Sequence, residues 1–115
     1  MIVLSHPVYL ATGATDLRKS IDGLAIIVQH QFCLDPFSPC LFAFCNRRKD
    51  KLKVLVWDDN GFWLHYKRLE KGHFRWPDPE KGPLQIDRRQ MQWLLDGLSL
   101  HQPLAHRAVL ERQLL

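Results

Sequence analysis

The segment Asn46 to Pro77, NRRKDKLKVLVWDDNGFWLHYKRLEKGHFRWP, leaves this chain few ways to fold. Two runs of β-type residues, Lys51 to Asp58 and Phe62 to Leu69, flank Asn60-Gly61, a pair that tolerates the positive φ of a two-residue hairpin turn. Nine Lys and Arg within the segment face four acids, whereas the rest of the chain holds seven basic and eight acidic residues. The formal net charge of +4 therefore comes from the hairpin region. Trp57, Trp63, Tyr66, Phe74 and Trp76 lie among those charges. Basic side chains neutralise phosphates and flat rings stack on bases, so the composition points to a nucleic-acid surface. The alternative is a solvated sheet edge, where Lys and Arg only discourage edge-to-edge association.

With Asn60 and Gly61 as the loop, the register sets Trp57 against Leu64, Leu55 against Tyr66 and Lys53 against Arg68 on one face. Val54 with Lys67, Val56 with His65 and Asp58 with Trp63 form the other. The first face is the more apolar and is expected to pack under a helix. The second, with Trp63, His65 and Lys67, is the expected partner-facing surface.

Around the hairpin the chain reads as one α+β domain over residues 1–100, with a tail at 101–115. Val8 to Ala11 is a short strand ended by Thr12-Gly13. Thr15 or Asp16 is placed to cap a helix running to about Gln31, with Leu17, Ile21, Leu24 and Val28 as its apolar stripe. Leu41 to Cys45 reads as a strand buried on both faces, which with the hairpin makes an antiparallel meander. Trp76 to Pro83 is a proline-rich loop. Asp87 and Gln90 then form a capping box for a second helix striped by Met91, Leu94, Leu95 and Leu98 and ended at Gly97. Pro103 fits the first turn of a short last helix in the tail. The expected fold is an antiparallel sheet packed with two to three helices.

Arg18-Lys19 and Arg88-Arg89 fall in the first turns of the two expected helices, where the macrodipole prefers acids. A bound phosphate would relieve that mismatch, and so would local pairing with Asp22 or Asp87. His30, Cys33, Cys40 and Cys45 are zinc-ligand types, but their spacing matches no common finger, and free cysteines serve as small apolar core residues. Asp16, Asp58, Asp59 and Glu70 could be drawn as a metal-dependent nuclease trio, yet no spacing singles them out, and Asp is frequent in turns for backbone reasons. No phosphate-cradling glycine loop, nucleophile elbow or paired zinc-histidine motif is present. No cofactor or metal is expected. No apolar run reaches the roughly 18 residues of a membrane span, and no signal peptide is seen. An odd count of three cysteines fits a reducing cytoplasm.

Read in order, VYLATGATDLRKSIDGLAIIV (Val8 to Val28), LDPFS (Leu34 to Ser38), FAFCNRRKDKLKVLVWDDNGFWLHYKRLEKGHFRWP (Phe42 to Pro77) and QMQWLLDGL (Gln90 to Leu98) closely resemble the TnpB-type proteins encoded by the second reading frame of the insertion sequence 66 family. The resemblance covers nearly the whole chain, and its NGFWL-YKRLEKG-F-WP signature is specific. It implies a bacterial mobile-element protein encoded beside a DDE-type transposase and another small accessory protein, linked to transposition with no assigned biochemical activity. The much larger RNA-guided nucleases that share the TnpB name are a different group. By position, the family's characteristic residues fall on Thr15, Asp16, Arg18, Lys19, Asp22, Gly23, Arg47, Arg48, Lys53, Trp57, Asp58, Gly61, Phe62, Trp63, Lys67, Arg68, Gly72, Phe74 and Trp76. Cys45 and His73 stand where the family leads one to expect basic residues, and the tail after Leu98 is idiosyncratic.

These readings converge on an expected non-catalytic accessory of transposition that binds nucleic acid, the element's DNA ends or its own transcript, with DNA placed above RNA. Arg47, Arg48, Lys49, Lys51, Lys67 and Arg68 would contact phosphates, Arg18, Lys19, Lys53, Lys71 and Arg75 would add to the basic surface, and Trp63 or Trp76 would stack. The rival is an adaptor docking on the element's transposase or its accessory protein, since exposed Trp and Tyr beside Arg also make interface hot spots. Self-association through a free sheet edge is a further expectation.

Overall fold

A computed structural model describes residues 6–104; the expected helix of the tail lies outside the described residues. One mixed sheet of five strands organises the chain: β1 (Val8–Leu10), β2 (Leu41–Cys45), β3 (Lys51–Asp58), β4 (Gly61–Arg68) and β5 (Leu84–Ile86), in the order β4-β3-β2-β1-β5. The meander of β2, β3 and β4 is antiparallel, as the sequence suggests. The wholly antiparallel sheet is not: β1 pairs parallel with β2, Val8 opposite Leu41 and Leu10 opposite Ala43. A parallel neighbour needs a crossover, and the 30 residues between β1 and β2 supply one that carries a helix. β5, a segment left unassigned between the proline-rich loop and the Asp87 cap, adds antiparallel to the other side of β1.

All five residues of β2 are buried, as expected for a strand covered on both faces. Leu41, Ala43 and Cys45 join Val8, Leu10, Leu52, Val54, Phe74, Trp76, Met91 and Leu94 in one core. Phe42 and Phe44 point the other way, to Leu24, Ile27, Val28 and Leu55. Burying each such phenylalanine contributes about 1.5–3 kcal/mol. The Cys45 thiol is pushed up to about 12 by burial, so it behaves as an apolar core group.

The first helix is shorter and later than its apolar stripe suggests. α1 spans Ile21–Ile26 behind Ser20 and continues as a π-helical turn over Ile27–Gln31, where Phe32 N–H reaches back to the Ile27 carbonyl at 3.2 Å. Asp16 does not cap it. Its carboxylate accepts the Arg18 backbone N–H at 3.0 Å and grips the Arg18 guanidinium, closing a local turn that competes with helix. Lys53 Nζ then takes the carbonyls of Leu17 at 2.6 Å and Lys19 at 3.1 Å, groups a helix started at Asp16 would have used. Arg18 and Lys19 therefore precede the helix, and the first-turn phosphate argument fails for them.

α2 (Arg88–Leu95) matches its sequence reading. Asp87 Oδ1 accepts Gln90 N–H at 2.7 Å while Gln90 Oε1 accepts Asp87 N–H at 3.1 Å, the expected capping box. Gly97, at φ 81°, closes a Schellman motif: Leu98 N–H bonds the Trp93 carbonyl and Gly97 N–H that of Leu94. Met91 and Leu94 are buried, but Leu98 is exposed beyond that stop. Arg89 lies over the Trp93 ring at 5.1 Å, one turn on, which occupies it locally.

The hairpin closes one residue earlier than Asn60-Gly61 implies. Asp58 pairs with Gly61, Trp57 with Phe62, Val56 with Trp63 and Lys53 with Tyr66, so Asp59 and Asn60 are the loop and Asp59 takes the positive φ of 44°. The pairing slips by two positions across the ladder. An even slip preserves the faces, so the division of side chains between them survives. The apolar face with Leu55, Phe62 and Leu64 does pack under α1.

Gly13 and Gly61 should respond oppositely to Ala. Gly13 sits at φ +75°, and a Cβ there would meet Pro79 Cγ at 2.8 Å, whereas at Gly61 nothing lies within 4 Å. In urea unfolding, Gly13→Ala is expected to cost about 1–3 kcal/mol. Gly61→Ala is expected to be neutral or to gain about 0.5 kcal/mol, because its φ lies outside the left-handed region, its Cβ would meet open space and alanine has less chain entropy to lose.

Candidate nucleic-acid interface

The turn from β2 to β3 is built by Asn46. Its Oδ1 accepts the N–H groups of Asp50 and Lys51 at 3.1 and 3.0 Å, and its Nδ2 donates to Asp50 Oδ1 at 2.7 Å. Lys49 turns through φ 61°, which projects Arg47 and Arg48 into solvent. The segment after β4 folds back along this turn: Leu69 N–H bonds the Asp50 carbonyl, Phe74 N–H that of Lys49, and His73 Nδ1 that of Arg48 at 2.8 Å. An exposed arginine pair thus sits on a turn braced from both sides.

A second segment is brought beside it by pairing beyond β1. Ala11 N–H bonds the Ala43 carbonyl at 2.9 Å and Thr15 N–H that of Cys45 at 2.8 Å, which lays Ala14 to Arg18 along the β2–β3 turn. Between them opens a groove of about 820 Å³ lined by Asp16, Arg18, Arg47, Arg48, Lys51, Lys53 and Tyr66, with Ala14, Thr15, Leu17 and Asn46. Its five cations come from three segments. Its one acid is matched already: Arg18 Nη2 lies 2.8 Å from Asp16 Oδ2, and that hydrogen bond, with the Arg18 backbone N–H, holds the Asp16 carboxyl down to about 2. Tyr66 is 55% exposed beside Lys53 and supplies a ring at the groove.

The sequence-expected residues divide. Arg18, Arg47, Arg48, Lys51 and Lys53 meet in the groove, though Lys53 spends its ammonium on the Leu17 and Lys19 carbonyls. Lys19, Lys49, Lys71 and Arg75 lie outside its lining, and Lys49 is half-buried. Arg68 shares the face of Lys51 and pairs with Glu70 at 2.8 Å. Trp63 and Lys67 are on the opposite face. There Trp63 donates to Asp58 Oδ2 at 2.6 Å and stacks on His65, and Lys67 Nζ approaches the Leu95 carbonyl at 3.4 Å. That face is mostly covered by α2, Phe74 and Trp76, and it is open to solvent only along β4.

Trp76 is a correction. It is 4% exposed and its indole N–H donates to the Ala11 carbonyl at 2.9 Å, so it is a core residue with no face left for a base. Tyr66 was the missed ring, and alternation along β4 already put it on the side of Lys51 and Lys53. The four acids of the drawn nuclease trio do not gather: among the described residues no three His, Cys, Asp or Glu come together to hold a metal. No helix among those residues is long and apolar enough to cross a membrane.

Two measurements probe this construction. A carboxyl NMR titration should find Asp16 at about 2, and Arg18→Gln should return it toward 3.8. Because the folded value is depressed, the pair favours the folded state above about pH 4 and loses that contribution as pH falls through about 2. Trp76→Phe, which leaves the Ala11 carbonyl without its donor, should lower unfolding stability by about 1–3 kcal/mol.

A family model described as IS66 Orf2 like protein matches residues 6–105. The uncharacterized protein y4hO of Sinorhizobium fredii is 40% identical over 96 residues, 84% of either chain. The uncharacterized protein y4jC of the same organism is 32% identical over 91 residues, 79% of this chain and 78% of its own. No solved structure matches the chain. With the family model spanning the whole sheet, both helices and the groove, this chain belongs to the IS66 Orf2-like family of insertion-sequence proteins.

Proposed function

We infer that the protein is a non-catalytic accessory of transposition that binds nucleic acid, the DNA of its element above RNA, along the Arg47–Arg48 groove. The observation that carries this reading is convergence: cations from three separate segments line one groove around an exposed Tyr66, and the single acid there is tied to Arg18. Arg47, Arg48 and Lys51 contact phosphates, while Lys53 and Asp16 hold the loop that sets Arg18 at the groove. Such contacts track the backbone and carry little sequence information, so discrimination among sequences is weak in this protein alone. Tyr66 stacks on an unpaired base where the strand is open.

The test is fluorescence anisotropy with the element's terminal DNA, scrambled DNA and RNA over a salt series. About three phosphate contacts give a log–log slope near −2.7 on duplex DNA, a loss on the order of 40-fold between about 50 and 200 mM salt. Arg47→Ala with Arg48→Ala should flatten that slope by about 2. Tyr66→Ala should weaken single-strand binding by about 1–3 kcal/mol. Equal affinity at both salts would sink the phosphate model, and no binding at low salt would turn the reading to an adaptor docked on the transposase. Cleavage of labelled DNA with magnesium or manganese would overturn the non-catalytic part.

A further inference from the structure

The two edges of the sheet are treated differently. β5 is three residues long, preceded by Pro83 and followed at once by the helix cap Asp87, so it offers almost no ladder to another chain. β4 is eight residues long, pairs with β3 without a break from Gly61 to Arg68, and contains neither proline nor bulge. Natural sheets protect a long edge by shortness, proline, bulges or charge; β4 has none of the first three, and its edge charges, Lys67 and Arg68, are confined to its last two residues. It also displays two large exposed rings, Trp63 at 57% on one face and Tyr66 at 55% on the other.

The direction of the open backbone groups follows from the ladder. Leu69 N–H donates to the Asp50 carbonyl at 2.8 Å, one step past the Arg68–Lys51 pair. Hydrogen-bonded pairs alternate along an antiparallel ladder, so the odd-numbered residues of β4 turn their backbone to β3. Phe62, Leu64, Tyr66 and Arg68 turn theirs outward. Charge is also segregated along this strand: Asp58 and Asp59 stand just before it, and Lys67 and Arg68 close it, Arg68 paired with Glu70 just beyond.

We propose that β4 is the seam of a symmetric dimer, in which the β4 edges of two copies pair antiparallel with His65 on the twofold axis. A twofold axis normal to a sheet brings the same edge to itself in antiparallel sense, and that sense sets the acidic start of each strand against the basic end of the other. A parallel pairing would stack like on like. Centring on His65 places outward-facing Leu64 opposite Tyr66 and Phe62 opposite Arg68 of the second copy, so every open group of these four residues finds a partner. It sets Trp63 across from Lys67 of the second copy. A cation beside an aromatic face, made twice by symmetry, is attractive. His65 meets its own copy, and desolvation already lowers its pKa, which favours the uncharged ring. The two Tyr66 side chains stand on one face at diagonal positions, roughly 7–8 Å apart along the seam. The Arg47–Arg48 grooves, each bordered by a Tyr66, then share one face of a ten-stranded sheet. The dimer rests on the β4 edge alone and stands whether or not the groove binds nucleic acid.

Sedimentation equilibrium on the full chain tests the seam. The expected mass at high concentration is twice 13.5 kDa. Trp63→Lys sets lysine against Lys67 twice and should weaken the dimer by about tenfold or more. Adding Lys67→Glu to Trp63→Lys recreates an opposite pair across the seam and should restore it; within one strand the two positions are too far apart to compensate. Amide exchange adds a measurement on the unmutated protein: Leu64 and Tyr66 should gain protection as concentration rises. A monomer at the highest soluble concentration, a dimer indifferent to Trp63→Lys, or no rescue by the double variant would each overturn the proposal.

Discussion

Burial of β2 on both faces governs everything else in this molecule. Five consecutive apolar residues leave no polar group to face water, so the sheet needs cover on each side. The crossover from β1 to β2 supplies one cover through α1 and its π-helical turn. The segment after β4 supplies the other, through Phe74, Trp76 and α2. The crossover also forces β1 to lie parallel to β2, and β1 in turn gives β5 its place. Mixed topology is thus a consequence of covering one strand twice.

Polar side chains do in this fold what the short helices cannot. Asn46 satisfies the β2–β3 turn, Asp16 the turn before α1, and Lys53 the carbonyls of Leu17 and Lys19. Each of them lines the groove, so the groups that close the backbone also shape the charged surface. Lys53 is the clearest case. Its charge reads from sequence as phosphate-binding, but its ammonium holds Arg18's loop in place, and its loss would act on the groove through position.

What was legible in the sequence was local or periodic. The Asp87–Gln90 box, the Gly97 stop, the buried β2 and the hairpin all rest on short-range chemistry, and they stand. The faces of the hairpin survived a wrong loop because the error was even. What failed was decided between distant segments. Asp16 satisfies equally well the pattern of a helix cap and of an aspartate-closed turn, and the choice is made by Lys53, over thirty residues away. Trp76 sits in a basic run, but the Ala11 carbonyl, 65 residues earlier, claims its indole. Within the groove the two arginines of the turn were readable. The contribution of Tyr66 needed the alternation of β4 to be given as much weight as its charge.

Alternation also explains why one basic segment does not make one basic surface. Along β3 and β4 successive side chains leave opposite faces, so Lys51, Lys53 and Arg68 part company with Lys67 and Trp63. Only the turn residues Arg47 and Arg48 escape that division, and the groove forms where they meet the face that Arg18 reaches. Tyr66 borders this groove while its backbone lies on the open edge of the sheet. Any partner strand added to β4 would therefore touch the groove's border, and any ligand in the groove would approach the seam. Where one event changes the affinity of the other, linkage requires the reverse effect by the same factor, so a coupling through Tyr66 would be seen from either side.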